Sequence, residues 1–360
     1  MKRILPLADP IVNSLPGYSN TLSIALQYFP GKSWFAQKYL NTLFIHDEGS
    51  NSLLSQFLTI DKIRLSSHYH YMPSNIMCPA IKGYAIPKNF VLKVNKNSVI
   101  DLIRESINQD FYVSLYVSMD LIPLYKTNRI LSHEIFIYGY DDENRICNVA
   151  GYFMGSKWRT QKCTYEDIKI AFSSADQGQR IGKEGSAFSD LHPSDTVSIY
   201  KFNEYFQHHF STSDLIRDID YYLGNKSYSD NIHYYISATK STENVKYYWG
   251  ISNHDVIIKY INTVLNEHSL IDMNQIALYL DVKKAIQYKV QFLLKQGIIK
   301  DDSLLYDADK LVSDTSLIMM KALKYNITTN ISDLNNFKNY IINSKEREII
   351  LLTTLSNQLQ

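Results

Sequence analysis

Three cysteines among 360 residues, Cys78, Cys147 and Cys163, are scattered and odd in number. They form no C-x-x-C pair, which excludes a disulfide framework and a cysteine zinc site. No Gly-rich phosphate loop and no G-x-G-x-x-G stretch occurs, so neither nucleotide-binding fingerprint is available. No run approaches the ~18 apolar residues of a membrane-spanning helix. A net charge of +1 leaves no excess of basic residues for a general nucleic-acid surface. Asp9 and two prolines interrupt the apolar run of "MKRILPLADPIV", which therefore does not read as a signal peptide. A cytoplasmic protein with reduced thiols is the resulting expectation. Internal repeats and low-complexity linkers are also lacking.

Metal ligands are sparse. "SSHYHYMP" would put His68 and His70 on one face if extended, but no third ligand lies nearby, and an exposed loop or edge strand is the simpler reading. Asp141, Asp142 and Glu143 are accounted for by a charged hairpin turn, and His46, Asp47 and Glu48 by a solvated one. No metal and no cofactor is expected.

What is present is ample core material. Hydrophobic residues make up 45% of the chain and charged residues 20%, which excludes disorder. The length suits two domains, and texture divides them at about residue 203. The expected class is α+β: a mixed domain over 1–203 and a helical domain over 204–360.

In the first half, "SLPGYSNTLSIALQYF" (14–29) reads as a turn running into a short helix. Leu22, Ala25, Leu26 and Phe29 form its apolar stripe, with Ser19 or Asn20 as the cap. "NSVIDLIRESINQ" (97–109) is an amphipathic helix, and "FYVSLYVSM" (111–119) an alternating strand. "HEIFIYGYDDENRICNVAGYF" (133–153) reads as a hairpin around Asp141–Asn144. "TYEDIKIAF" (164–172) starts as a helix capped by Thr164, with Asp167 three positions on. "DTVSIYKF" (195–202) is one more strand. From about 205 the chain reads as helical, with long segments over 252–268, 272–297, 313–326 and 332–358. Gly297 is the natural stop of the second.

The hairpin and the helix after it, together with the opening helix, resemble papain-fold cysteine-protease homologues. More narrowly, they are similar to the group related to the N-terminal domain of butirosin biosynthesis protein H. His133, Gly139, Tyr140, Asp141, Asp142 and the 164–172 helix carry the resemblance, which covers roughly residues 5–175. It implies a papain-like N-terminal domain with an antiparallel sheet, followed by a helical domain. The chemistry it implies is acyl transfer. A cysteine at a helix N-terminus attacks a thioester or amide, a histidine moves the proton, and an acidic or amide residue orients the imidazole. The implied partners are an acyl or peptidyl carrier protein and a small-molecule substrate, with no nucleic acid and no membrane.

The chain departs from that pattern at two places. The nucleophile position falls at Gly17, and no cysteine stands within 15–20. The place of the acidic partner falls at Gly151, or at Asn148 in a shifted register. Several substitutes are open. Ser19 is either a nucleophile with His133 as its base or an N-cap. Tyr18 is a general acid, a stacking group or a core tyrosine. Cys78 and Cys147 are cleft thiols or buried inert ones. His133 is a catalytic or ligand-binding residue, or a relic held by packing. Two functions follow from the resemblance. One is handling of a carrier-bound acyl or aminoacyl thioester in specialised-metabolite biosynthesis, by acyl transfer or amide formation without a cysteine nucleophile. The other is a non-catalytic scaffold for a carrier protein or its bound intermediate. A degenerate peptidase has the least support.

Overall fold

The computed structural model describes residues 1–14, 16–40, 42–47, 52–57, 78–94, 99–126, 132–153, 158–175, 196–224, 245–334 and 336–360. In chain order its elements are β1 (Lys2–Ile4), α1 (Pro16–Ala25), α2 (Phe29–Lys38), β2 (Thr42–Asp47), β3 (Ser52–Phe57), β4 (Ile81–Pro87), α3 (Lys88–Val94) and α4 (Val99–Asn108). There follow β5 (Tyr112–Ser118), β6 (Ser132–Asp141), β7 (Ile146–Gly151), β8 (Arg159–Thr164), α5 (Tyr165–Ser174) and β9 (Thr196–Phe202). The chain continues through α6 (Thr212–Leu223), β10 (Val245–Trp249), α7 (Asn253–Glu267), α8 (Met273–Lys295), α9 (Ser303–Thr328) and α10 (Phe337–Leu359). Two compact units result: residues 1–31 with 70–207, and residues 32–69 with 208–360.

The first unit is a seven-stranded antiparallel sheet in the order β4-β9-β5-β6-β7-β8, with β1 added beside β6. Strand β6 changes partner along its length. His133 to Ile137 pair with β5, and Gly139 to Asp141 pair with β1. A register irregularity between Ile137 and Gly139 separates the two stretches. Glycine is required at 139 because a Cβ there would come within 2.8 Å of the Arg3 carbonyl oxygen. β5 is buried along nearly its whole length, which is why its sequence mixes apolar and small residues on both faces. The amphipathic helix α4 lays Ile100, Ile103 and Ile107 onto the sheet, each buried. Thr164 caps α5 by accepting a hydrogen bond from the Asp167 amide, 3.1 Å. At the other end of α5 the buried Lys88 ammonium donates to the Ala175 carbonyl, 2.8 Å, placing a cation where the helix dipole favours one. The 141–145 turn is also tied down: Arg104 of α4 donates to Asp142, 2.7 Å, and so does the Tyr165 hydroxyl, 3.0 Å.

In the second unit β10, β2 and β3 form a three-stranded antiparallel sheet, beside α2 and helices α6 to α10. Helix α8 packs against α9, and α9 against α10. Gly297 adopts φ +67° and its amide donates to the Leu294 carbonyl, 2.9 Å, ending α8 as its position predicts.

Several expectations need correction. The 14–29 segment is two elements: α1 stops at Ala25, and Phe29 opens α2 and is exposed, leaving the stripe to Leu22, Ala25 and Leu26. Ser19 and Asn20 are not caps, because α1 begins at Pro16 and places both inside the helix; proline at a helix start is favoured for its preset φ. His46 and Asp47 form strand rather than a solvated turn, since β2 runs to Asp47 and pairs with β10 and β3, while Glu48 lies outside the described residues. The chain beyond 205 is not wholly helical, because Val245–Trp249 is β10. Helix α9 begins at Ser303, ten residues before the expected start. His68 and His70 lie outside the described residues. No helix among the described residues is long and apolar enough to cross a membrane.

Candidate functional site

Helix α1 buries polar side chains. Ser19, Asn20, Thr21 and Ser23 are all at most 2% exposed, an arrangement that requires a partner for each hydroxyl and amide. Thr21 donates to the Gly17 carbonyl, 2.9 Å, and Ser23 to that of Asn20, 2.7 Å. Ser19 Oγ donates to the Val12 carbonyl, 2.8 Å, and lies 2.7 Å from the Tyr152 hydroxyl. With its proton directed at a carbonyl, Ser19 accepts from Tyr152. Asn20 Oδ1 accepts from the Trp158 indole, 3.0 Å. Helix α1 is therefore pinned by the residue after β7 and by the residue before β8. Gly17 and Tyr18 occupy its first turn, Gly17 half-buried and Tyr18 buried.

Strand β6 begins where β7 ends. Phe136 pairs with Ala150 and Ile137 with Val149. By alternation His133 shares a face with Val149 and Gly151, and Asn148 lies on the other face. Asn148 is thus not on the side from which it would orient the imidazole. It is buried, its Nδ2 finds no hydrogen-bond partner among the described residues, and it packs over Gly139. Gly151 is on the correct face but brings no side chain. A Cβ there would meet the Phe153 ring at 3.2 Å, so an aromatic ring fills the space an acidic side chain would enter.

His133 itself is half-buried and pairs with Val117 of β5. Its Nδ1 lies 3.0 Å from the Glu134 carbonyl oxygen. The same oxygen accepts from the Tyr125 hydroxyl, 3.0 Å. The Tyr125 ring lies 5.7 Å from the His133 ring and 5.1 Å from that of Phe153, centroid to centroid. Tyr125 is buried, and burial followed by the Glu134 charge pushes its hydroxyl far above the ordinary tyrosine range. It therefore stays a donor across the working pH range. Among the described residues, the Tyr125 ring and the Glu134 main-chain carbonyl lie against His133, and Phe153 packs on Tyr125. The sequence offered no signal for that carbonyl, and Tyr125 was one of 28 tyrosines.

The three thiols are buried. Burial pushes Cys78 and Cys163 up to about 12, and Cys147 higher still. Thiols so placed are not thiolates at neutral pH.

A second polar cluster lies in the helical unit and was not anticipated from sequence. Tyr222, His254, Tyr279, Lys283 and Glu348, from α6, α7, α8 and α10, are each at most 1% exposed. His254 Nε2 lies 2.8 Å from Glu348 and its Nδ1 lies 2.6 Å from the Tyr279 hydroxyl. Lys283 and Tyr222 also donate to Glu348. Burial alone would raise the Glu348 carboxyl, but Lys283 and His254 pull it down to about 2. Burial, then the Lys283 charge, pushes His254 down to about 4 against the pull of Glu348. Its neutral imidazole bridges Tyr279 and Glu348, and the cluster joins four helices. Among the described residues no group of three or more His, Cys, Asp and Glu side chains is arranged to hold a metal ion.

No protein-family model and no curated protein matches this chain.

Proposed function

We propose that the first unit is a papain-like domain and that the protein handles a carrier-bound acyl or aminoacyl thioester, with His133 as general base. In this reading the acceptor amine attacks the thioester carbonyl directly. His133 takes the amine proton, the C–N bond forms, and the carrier thiolate leaves and is reprotonated. Holding donor and acceptor together supplies up to roughly 7–11 kcal/mol of the barrier, and proton transfer a further ~10²–10⁴-fold in rate. The observation that carries the reading is the junction of α1 with the end of β7. Ser19 bonds to Tyr152, the next residue, Phe153, packs on Tyr125, and Tyr125 packs on His133. This short relay links the helix of the lost nucleophile to the strand of the retained histidine.

The second reading is a non-catalytic scaffold that binds the carrier or its intermediate. It is favoured by Phe153, which fills the space over Gly151 and leaves no room for a carboxylate partner. Incubation with an aminoacyl-loaded carrier protein and an amine, followed by intact-mass spectrometry, separates the two. Direct attack gives free carrier thiol and amide product with no mass added to this chain. A scaffold gives a complex and no product. An acyl increment mapped to Ser19 would replace direct attack with a covalent route.

A further inference from the structure

The ladder between β6 and β7 reaches only to Phe136 and Ala150. Glu134 lies beyond it, and its carbonyl is met by side-chain donors. Among the described residues these donors are the Tyr125 hydroxyl and His133 Nδ1, each at 3.0 Å. A carbonyl accepts and never donates, so the second contact requires the proton of neutral His133 to sit on Nδ1. The hydrogen bond made by one ring nitrogen decides the state of the other. Nε2 is then the nitrogen with the free lone pair.

We propose that the Glu134 carbonyl, braced by Tyr125, is the orienting acceptor of His133, and that Tyr125 is a positioning residue of the site. The inference rests on the reading of His133 as general base. Tyr125 acts in two ways. Its hydroxyl fixes the carbonyl, and its ring, wedged between His133 and Phe153, walls the imidazole into one rotamer. The arrangement replaces the side-chain orienter that Gly151 cannot supply. It also explains why a buried tyrosine stands in the short 3₁₀ turn Pro123–Tyr125, where an apolar residue would fill the volume equally well but leave the carbonyl half-satisfied.

The test is the tautomer of His133, read by long-range ¹H–¹⁵N correlation on ¹⁵N-histidine-labelled full-length protein above the imidazole titration. Neutral imidazole in water favours the Nε2–H form, so a locked Nδ1–H form is diagnostic. We expect wild type to give Nδ1–H, Tyr125→Phe, which keeps the ring but releases the carbonyl, to shift part of the way toward Nε2–H, and Tyr125→Leu to revert toward the solution mixture. An Nε2–H wild type overturns the proposal. So does a Tyr125→Leu protein that stays folded and keeps the wild-type tautomer. If Tyr125→Leu does not fold, the wild-type and Tyr125→Phe spectra still decide the acceptor. The spectra do not depend on turnover: a locked Nδ1–H form in a protein that makes no amide would sink the acyl-transfer reading and leave this one standing.

Discussion

Ser19 and Tyr152, separated by 133 positions in the chain, share a hydrogen bond of 2.7 Å. It closes the second turn of α1 onto the first residue after β7. Because Ser19 also donates to Val12, its oxygen serves as a node between three segments. Ser19→Ala leaves the Tyr152 hydroxyl without this acceptor and is expected to cost about 1–3 kcal/mol. Tyr152→Phe removes only the donor and should cost about 0.5–1.5 kcal/mol. A double-mutant cycle read by urea unfolding should return a coupling of about 1 kcal/mol. Strict additivity would mean the pair contributes nothing.

Burial of the thiols leads to a second expectation. Cys78, Cys147 and Cys163 should be inert to Ellman's reagent at pH 7.5 in the native protein and react together on unfolding. One cysteine that reacts rapidly in the folded state would return thiol chemistry to consideration.

The helical unit predicts how stability depends on pH. His254 is held down to about 4 and Glu348 to about 2. For both, the unfolded chain binds its proton at a higher pH than the folded one. Stability is therefore full above the ordinary histidine value and falls as pH drops, first through the histidine window and then through that of the carboxylate. Replacing Glu348 with glutamine leaves Lys283 buried without its counter-charge and should destabilise by about 3–5 kcal/mol. His254→Gln should flatten the upper part of the acid limb. An unchanged limb between pH 4 and 6.5 in that variant would contradict the assignment.

Lys289 predicts the opposite limb. It is fully buried in α8, and its ammonium donates to the Ala36 and Gln37 carbonyls at the C-terminal end of α2. Burial pushes it down to about 7, with Asp218 opposing and Lys38 assisting. Here too the unfolded chain binds the proton more tightly, so stability should rise between about pH 7 and the ordinary lysine value. Lys289→Met should abolish that rise, as read by urea midpoints across the alkaline range. A slope retained in the variant would show that Lys289 is not its source.

Much of this architecture was legible in the chain because the patterns were local. The Thr164 cap, the Asp141–Asn144 turn, the stop at Gly297 and the stripe of α4 each need only a few neighbouring residues. Where the reading failed, the cause was tertiary. Ser19 looks like a cap until Pro16 is seen to start the helix. His46 and Asp47 look solvated because the strands that pair with them lie at 52–57 and 245–249. The Glu348 cluster draws its members from four helices, and a lone glutamate in "SKEREIILL" does not announce burial. His133 was visible from the hairpin. Its acceptor was not, because a main-chain carbonyl has no residue type.

The sharpest test of the account is the effect of His133→Ala on aminolysis of an N-acetylcysteamine aminoacyl thioester, a probe that presents the carrier's thiol end to a panel of primary amines. With His133 as general base, the wild type should form amide and the variant should lose about 10²–10⁴-fold in kcat. KM should hardly change, because the proton moves only in the transition state. Equal rates in the two proteins, whether measurable or absent, would contradict the account and leave a binding scaffold in its place.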